Sequence, residues 1–268
     1  MEASISFRDV RVGFEEGDIV HGLSFDVYPK ETLVLLGETG TGKTLTLKMA
    51  AGLLRPLAGE ITVLGNQITS MKEKELLNVR RQIGFVFQEG ALFDSMTVEE
   101  NVAFRLREEK ISEEEIEPKV REALRFVELE HAIDQVPSEL SGGMRRRASI
   151  ARALITRPPI VLYDSPTAGL DPVTSQTIIS LILRLRDTYG VTALLATHRL
   201  QDGFALAKFH FDTASNRVVA NSEQAGRKEN ENESSTRFAV LREGKIFFEG
   251  TPEQLAAVKD PYLKRFLV

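Results

Sequence analysis

A glycine-rich octapeptide contains the residues whose types and spacing most clearly define a chemistry. Residues 37–44 read GETGTGKT, which matches the pattern G-x-x-x-x-G-K-[ST]. Glycines let a backbone wrap closely enough for several N–H groups to point at one phosphate. In such a loop Lys43 reaches the β- and γ-phosphates, and the Thr44 hydroxyl binds Mg²⁺. The pattern predicts a nucleoside triphosphate site, and the alternative is a glycine-rich turn whose lysine faces water.

The segments on either side of this loop supply the context that phosphate binding needs. The apolar run at 33–36 predicts a short buried strand, and the apolar spacing over 45–53 predicts a helix. The N-terminus of that helix would add its partial positive charge at the loop. The residues expected to contact the nucleotide here are Gly37, Glu38, Thr39, Gly40, Thr41, Gly42, Lys43, Thr44 and Leu45.

Three further polar residues, Gln88, Asp164 and His198, each end or directly follow a short apolar run that predicts a buried strand. A carboxylate at such a position can hold the Mg²⁺ of a bound nucleotide, and the alternative is a turn or capping aspartate. For Gln88 the alternative is a polar residue that only ends a strand. For His198 the alternative is an incidental or structural histidine.

A pair of adjacent glycines lies at the start of a predicted helix. Residues 140–144 read LSGGM, and Ser141 is expected to cap the helix. Gly142 and Gly143 are unfavourable in a first turn that only has to fold, so they indicate that something approaches the backbone closely. An exposed helix N-terminus is suited to an anion. The three arginines at 145–147 are interpreted as a solvated face.

The composition limits the classes of protein that this chain can be. Its 268 residues, 42% of them hydrophobic, are enough for one large domain with a sizeable core. The net charge of −5 argues against a nucleic-acid binder with a general basic surface. Cysteine is absent, so disulfides and thiolate metal sites are excluded. We expect no signal peptide, and no run of about 18 apolar residues predicts a membrane span.

The periodicity along the chain predicts strands that alternate with helices around a helical insertion. Residues 3–29 alternate as two or three antiparallel strands with a turn at 15–18. Three helix starts are predicted by capping-box pairs, which are Ser70 with Glu73, Thr97 with Glu100, and Ser112 with Glu115. The segment from about 90 to 156 is therefore mostly helical and indicates an inserted subdomain.

The remainder of the chain returns to alternating elements. Asp171 is expected to cap a helix that starts at Pro172 and stops at Gly190. Residues 209–222 predict a small hairpin, and the polar, charged stretch at 223–236 predicts a mobile loop.

As an ordered set, these motifs resemble those of the nucleotide-binding subunit of ABC transporters over almost the whole chain. Residues 37–44 look like its Walker A motif, 140–144 like its signature and 160–164 like its Walker B motif. The single residues that match are Gln88 at the Q-loop position, Asp171 at the end of a D-loop-like stretch, His198 as the switch histidine, and Phe14 as the aromatic residue against adenine. For Phe14 the alternative is a half-buried strand residue.

The resemblance implies an α/β fold, with a P-loop NTPase (RecA-like) core, an N-terminal antiparallel β subdomain and an inserted α-helical subdomain. It implies a single ABC ATPase domain over 1–268. Within it, 1–88 and 157–268 would form the nucleotide-binding core, and 89–156 would be the helical subdomain that carries the signature.

The resemblance also implies ATP and Mg²⁺ as cofactors, with the metal near Thr44, Gln88 and Asp164. Two copies would form a head-to-tail homodimer, in which each ATP is contacted in trans by residues of the other copy, namely Ser141, Gly142, Gly143 and Asp171. Catalysis would involve Gln88, His198 and the residue at position 165. The subunit would drive an integral membrane permease from the cytoplasmic face of the bacterial inner membrane, without nucleic acid.

A narrower resemblance is to ATPases of Mce-associated, Mla-type lipid transport systems. It is carried by residues 87–98, by the arginines after LSGGM and by the ending DPYLKRFL. It implies lipid transport with an Mce-type lipid-binding partner. Leu92, Phe93 and Met96 would then grip a helix of the permease, and the alternative is that these three residues are subdomain core.

One position departs from the family pattern. The family usually has glutamate after the Walker B aspartate, where it activates water, and this chain has Ser165. A hydroxyl of high pKa cannot accept a proton as a carboxylate does. Three interpretations compete: slow or partner-dependent hydrolysis, ATP binding with cleavage left to another subunit, or an engineered substitution that traps the ATP state. We favour a natural variant with reduced or partner-dependent hydrolysis.

Two rival functions remain beside transport. One is a non-hydrolysing, ATP-gated assembly module, which Ser165 favours. The other is a soluble ABC ATPase that acts on nucleic acid or ribosomes, which the single cassette and the acidic balance disfavour.

Overall fold

The computed structural model describes residues 2–15, 17–221 and 236–263. The strands are β1 (Ile5–Phe14), β2 (Gly17–Val27), β3 (Thr32–Leu36), β4 (Ala58–Val63), β5 (Asn66–Gln67), β6 (Ile83–Val86), β7 (Ile160–Asp164), β8 (Thr192–Thr197), β9 (Phe209–Asp212), β10 (Arg217–Ala220), β11 (Thr236–Arg242) and β12 (Lys245–Gly250). The helices are α1 (Lys43–Ala50), α2 (Glu73–Arg80), α3 (Val98–Glu108), α4 (Glu113–Phe126), α5 (Gly142–Leu154), α6 (Pro172–Tyr189), α7 (Leu200–Lys208) and α8 (Pro252–Ala257).

A six-stranded sheet forms the centre, in the order β12-β11-β3-β8-β7-β6. All its strand pairs are parallel except β11 with β12. Every residue of β3, β7 and β8 is buried. Strands covered on both faces read as continuous apolar runs, which is why these segments show no alternation in the sequence.

The first face of this sheet packs against α1 and a second, antiparallel sheet of order β2-β1-β4-β5. The alternation in β1 and β2 directs residues such as Phe7 and Phe25 inward, where their rings stack at 4.6 Å. Leu33 and Leu35 of β3 contribute to the same apolar cluster as Leu47 of α1. One face of the strand that leads into the phosphate loop is thereby buried against these elements.

The opposite face packs against helices, including α3, α4 and α5, which lie between β6 and β7 in the chain. Val34 and Leu36, which alternate with the residues of the first face, join Val102 of α3 and Ile150 of α5 in a second apolar cluster. The expected fold class is therefore confirmed: an α/β core, an antiparallel β subdomain and a helical insertion. None of the described helices has both the length and the hydropathy that crossing a bilayer requires.

The three predicted capping boxes have different outcomes. The Thr97 box is confirmed, since Thr97 Oγ1 accepts from the Glu100 N–H at 3.1 Å and the Glu100 carboxylate accepts from the Thr97 N–H at 2.8 Å. The Ser70 box is wrong, because α2 starts later and the Lys72 N–H donates to the Glu75 carboxylate instead. Ser112 does precede α4, but its hydroxyl donates to the Glu115 side chain, so the box is not formed.

The hairpin predicted at 209–222 is confirmed over its described residues, since β9 and β10 pair as antiparallel strands, and residue 222 lies outside them. The predicted mobile loop at 223–236 lies outside the described residues, apart from its last residue. In the turn predicted at 15–18, residue 16 also lies outside them.

Candidate nucleotide-binding site

The register of the parallel strands brings the residues that are predicted to bind nucleotide or to act in catalysis to one edge of the central sheet. Leu36 is paired with Thr197, Ala196 with Asp164, and Tyr163 with Val86. The residues that follow these strand ends therefore share the carboxyl edge, which is where α/β sheets bind ligands. This set comprises the phosphate loop, His198, Ser165 and Gln88.

The glycines of the phosphate loop are required by its backbone. Gly40 and Gly42 have φ angles of 85° and 96°, which favour glycine. A Cβ on Gly42 would lie 2.6 Å from Val20 Cγ2, and one on Gly37 would lie 2.8 Å from the Leu241 carbonyl oxygen. A larger residue at either position would push the loop away from Val20 or Leu241, which it contacts.

Lys43 lies inside this loop and is 8% exposed. Its ammonium group donates to the carbonyl oxygens of Gly37 at 2.8 Å and Glu38 at 2.7 Å. Burial lowers the pKa of Lys43 to about 8, against the opposing charges of Asp164 and Glu38. Phosphate oxygens are stronger acceptors than carbonyls, so a triphosphate would compensate this buried charge better than the loop does.

Thr44 and Asp164 form the predicted metal-side pair. The Thr44 hydroxyl donates to Asp164 Oδ1 at 3.1 Å. Burial raises the pKa of the Asp164 carboxyl, while hydrogen bonds from Thr44 and Ser165 and the charge of Lys43 oppose the shift. Within the described ranges, no three His, Cys, Asp or Glu residues are grouped to hold a metal by themselves. One hydroxyl and one carboxylate fit Mg²⁺ that is bound jointly with phosphate oxygens.

Ser165 takes a left-handed backbone conformation with φ of 46° and is 9% exposed. Its N–H donates to the Ala196 carbonyl at 2.8 Å, and its hydroxyl lies 3.5 Å from Asp164 Oδ1. The position is thus fixed by β8 and its hydroxyl faces the neighbouring carboxylate. Gln88 and His198 are both exposed at the ends of their strands, so they are free to approach a ligand.

The signature residues start α5 as expected. Ser141 Oγ accepts from the Met144 N–H at 3.2 Å, which confirms it as the N-cap, and Ser141 and Gly142 are exposed. A Cβ on Gly143 would lie 2.5 Å from Thr174 Cγ2 of the same chain. The glycine pair predicted that something approaches this backbone closely, and at Gly143 the neighbouring group belongs to α6.

Asp171 and Phe14 complete the predicted set. Asp171 Oδ1 accepts from the Thr174 N–H at 3.0 Å and caps α6, which ends at Gly190 with φ of 63°, as predicted. Phe14 lies at the end of β1 and is 58% exposed. The half-buried alternative for Phe14 is wrong, and an exposed ring is what stacking on a base requires.

The comparisons with known proteins agree with this geometry. Residues 20–168 match the family model described as ABC transporter. The chain is 39% identical over 200 residues to the methionine import ATP-binding protein MetN 2 of Bacillus cereus, with 73% of this chain and 59% of that protein aligned. It is 35% identical to the protein TRIGALACTOSYLDIACYLGLYCEROL 3 of Arabidopsis thaliana, with 98% and 72% aligned. The chain belongs to the ABC transporter family.

Solved ABC cassettes share the fold. A dimeric ATP-binding cassette in a post-hydrolysis state, bound to ADP and phosphate, superposes with a TM-score of 0.76 at 26% identity, over 92% of this chain and 98% of that one. The chain spans less than two thirds of the length of the methionine import relative.

Two features of this ABC cassette were not found from its sequence. The solvated-face interpretation of the three arginines is wrong for Arg146, which is 5% exposed. The helical spacing of Arg146 with Ile150 and Ala153, both buried, is the signal that identifies it. The second feature is Asp202, 3% exposed, which accepts hydrogen bonds from the hydroxyls of Thr167 and Thr197.

The loop after Gln88 is organised by another buried residue, Asn101. Its side chain accepts from the Phe93 N–H at 2.8 Å and donates to the Phe93 and Met96 carbonyls at 3.1 Å each. Leu92 packs against the helical core, Met96 is partly buried, and Phe93 is 41% exposed. Of the three residues expected to meet a permease, Phe93 is the most accessible.

Proposed function

We propose that the chain is the ATP-binding and ATP-hydrolysing subunit of an ABC transporter that moves lipids. The observation that carries this proposal is the convergence of the phosphate loop, Asp164, Gln88 and His198 at one sheet edge. The subunit is a single ABC ATPase domain, divided into a core (1–88 and 157–268) and a helical subdomain (89–156). It sits at the cytoplasmic face of a bacterial inner membrane.

The roles of the residues follow from their chemistry. Magnesium-bound ATP supplies the γ-phosphoryl group when it is present. The loop amides and the Lys43 ammonium would bind its phosphates, and Thr44 and Asp164 would hold the metal. Gln88 would orient water near the metal and phosphate, and His198 would donate a hydrogen bond to the γ-phosphate. The Phe14 ring stacks on the adenine.

A head-to-tail homodimer completes each site in this proposal. The exposed N-terminus of α5, at Ser141 and Gly142, would face the γ-phosphate of the other copy, with Asp171 beside it. The dimeric cassette that shares the fold supports this arrangement. We expect Mg²⁺ and ATP to double the mass measured by light scattering. Ser141→Arg should prevent this doubling while ATP still binds, and a variant that dimerises normally would contradict the arrangement.

Hydrolysis is expected to be slow because no carboxylate stands at position 165. General base catalysis contributes about 10²–10⁴-fold, so Ser165→Glu should raise the rate of phosphate release in the assembled transporter by about 10²-fold. Ser165→Gln, which has similar volume but no basic carboxylate, is the matched control. If the glutamate variant is no faster than the glutamine variant, the missing carboxylate does not limit the rate.

A second candidate function is a non-hydrolysing, ATP-gated assembly module. The observation that favours it is the Ser165 hydroxyl, which faces Asp164 and offers no base to water. Phosphate release by the wild-type protein, measured with and without its permease, separates the two functions. Release that the Lys43→Ala variant abolishes supports the ATPase, whereas its absence in both conditions supports the module.

Lipid is the proposed cargo, and a Mce-type lipid-binding protein is a further proposed partner. The Arabidopsis relative, whose name is that of a galactolipid, aligns with 98% of this chain, whereas the methionine import relative aligns with 73%. Mass spectrometry of the native complex should identify co-purifying lipids and an Mce-type subunit. A complex that instead retains methionine, with no lipid enrichment, would contradict the assignment.

The permease is proposed to dock on Leu92, Phe93 and Met96. Phe93→Ser should reduce the amount of permease that co-purifies, because Phe93 presents an accessible apolar ring next to Phe104, at 4.7 Å. Phe247→Ser is the matched control, since Phe247 is 42% exposed on β12. Equal recovery of permease with both variants would exclude the docking role.

A further inference from the structure

Arg146 differs from the arginines on either side of it. Its guanidinium is buried and donates through Nη1 to the Phe87 carbonyl at 2.6 Å and through Nη2 to the Ala168 carbonyl at 3.5 Å. Its Nε is buried without a hydrogen-bond partner in the described part of the chain. By contrast, Arg147 donates to the Glu128 carbonyl at 2.9 Å within the helical region.

A buried charge in this setting is unfavourable for folding alone. No carboxylate forms an ion pair with Arg146 among the described residues. Burial lowers the pKa of Arg146, and only the more distant charges of Glu89 and Asp164 oppose that shift. An apolar side chain of similar volume would stabilise the helix packing as well or better. The cost of burying the guanidinium therefore indicates a role beyond packing.

The two carbonyls that Arg146 joins belong to different functional loops. Phe87 directly precedes Gln88, and Ala168 lies in the segment that runs from Ser165 to Asp171. Arg146 itself belongs to α5, whose N-terminus is Ser141. One side chain thus connects three parts of the chain that are proposed to contact nucleotide.

The Ser165–Asp171 segment is also held from its other side. The Thr167 hydroxyl donates to Asp202, and Arg199 Nη1 donates to the Thr167 carbonyl at 3.3 Å. Arg199 directly follows His198. Hydrogen bonds between side chains and backbone carbonyls, together with the peptide bonds of adjacent residues, therefore link the His198 turn through Thr167 and Ala168 to Arg146, and from there to the loop of Gln88.

We propose that Arg146 is a positioning residue that couples the Gln88 loop to the Ser165–Asp171 segment during ATP turnover. This inference rests on the proposed ATPase function. Arg146 donates to two backbone carbonyls, and it acts by fixing the backbone of residue 87 relative to residue 168. When His198 moves towards the γ-phosphate, these contacts keep Gln88 in position relative to the other nucleotide-binding residues.

The kinetic test compares Arg146→Gln with Arg147→Gln, the same substitution one residue along the helix. Because hydrogen bonds from charged donors are strong, Arg146→Gln should lower kcat by about tenfold and change KM by less than about threefold. Arg147→Gln should leave kcat unchanged. In a Gln88→Ala background, Arg146→Gln should lower kcat by less than about twofold further, because both changes act on one loop. Independent, multiplying effects would overturn the proposal.

A second measurement does not require hydrolysis. The Gly90 N–H donates to the Phe87 carbonyl at 2.9 Å, and the Ala168 N–H donates to the Ser165 carbonyl at 3.0 Å. Hydrogen exchange at both amides should accelerate about tenfold in Arg146→Gln and at neither in Arg147→Gln. If the glutamine variant does not fold, Arg146→Lys replaces it in this comparison, because lysine keeps the charge but reaches one carbonyl.

The outcomes separate the two proposals. If the wild-type protein releases no phosphate but Arg146→Gln loosens both loops, the ATPase proposal fails and the coupling of the loops stands. If the wild-type protein hydrolyses ATP but the exchange at the two amides is unchanged or changes at one alone, the role of Arg146 is refuted.

Discussion

Nucleotide binding should be accompanied by proton uptake above pH 8, because the protein itself buries Lys43. Burial lowers the pKa of this ammonium from its ordinary value of 10.5 to about 8. A triphosphate next to it restores the preference for the charged form. Above pH 8 the free protein therefore holds mostly neutral lysine, and binding must recover the proton.

The size of the effect follows from that pKa. At pH 7 about nine tenths of the lysines in the free protein are charged, and at pH 9 about one tenth are. If the charged form alone binds the phosphates, affinity falls about tenfold between pH 7 and pH 9. The proton uptake rises over the same range from about 0.1 to about 0.9 per nucleotide bound.

Isothermal titration calorimetry with a non-hydrolysable ATP analogue measures both quantities, when it is run in two buffers of different ionisation enthalpy. Because the chain has no cysteine, no thiol titrates in this range. Lys43→Arg is the matched control, since a guanidinium stays charged throughout. It should bind more weakly but lose the pH dependence. A wild-type affinity that is constant from pH 7 to pH 9, without proton uptake, would refute the reasoning.

Three further results are expected. In thermal or denaturant unfolding, the wild type should gain stability relative to Lys43→Met as the pH rises from about 8 to 10.5, by up to about 3 kcal/mol. The sign follows because the unfolded chain binds more protons than the folded chain in this window. A difference in unfolding free energy that stays constant with pH would contradict the prediction. Gly143→Ala should destabilise by about 1–3 kcal/mol, and Thr174→Ser, which removes the clashing methyl group, should restore most of that loss; no rescue would exclude the contact as the cause. Asn101→Ala should lower permease co-purification without changing ATP affinity, since it releases the Phe93 loop; an unchanged yield of permease would show that the loop is held by other contacts.

The residues at the carboxyl edge of the central sheet could be predicted from the sequence because each of their motifs is local. The phosphate loop, the Ser141 cap and the Asp171 cap are each set by a few neighbouring residues, and the structure contains all three. The parallel strands could be predicted because burial on both faces gives unbroken apolar runs. The resemblance to a known family then ordered these pieces into one site.

The features that could not be predicted depend on residues that are distant in the chain. Arg146 is buried because Phe87 and Ala168, 59 and 22 residues away, offer it carbonyls. Gly143 is required by its close contact with Thr174 of α6. A local pattern does not contain these tertiary contacts, and propensity is overridden by them. The Ser70 box failed for a local reason, because α2 starts two residues later than the pattern requires and the Lys72 N–H pairs with Glu75 instead.

The pairing of β3 has a consequence for how the protein is made. The strand that leads into the phosphate loop lies between β8 and β11, so its neighbours are encoded some 160 and 200 residues downstream. The ribosome must therefore synthesise the chain as far as β11 before β3 can pair on both sides and support the phosphate loop. Such long-range pairing is slow to form and leaves apolar strands uncovered meanwhile, so nascent chains truncated before β11 should depend on chaperones and be unable to capture ATP.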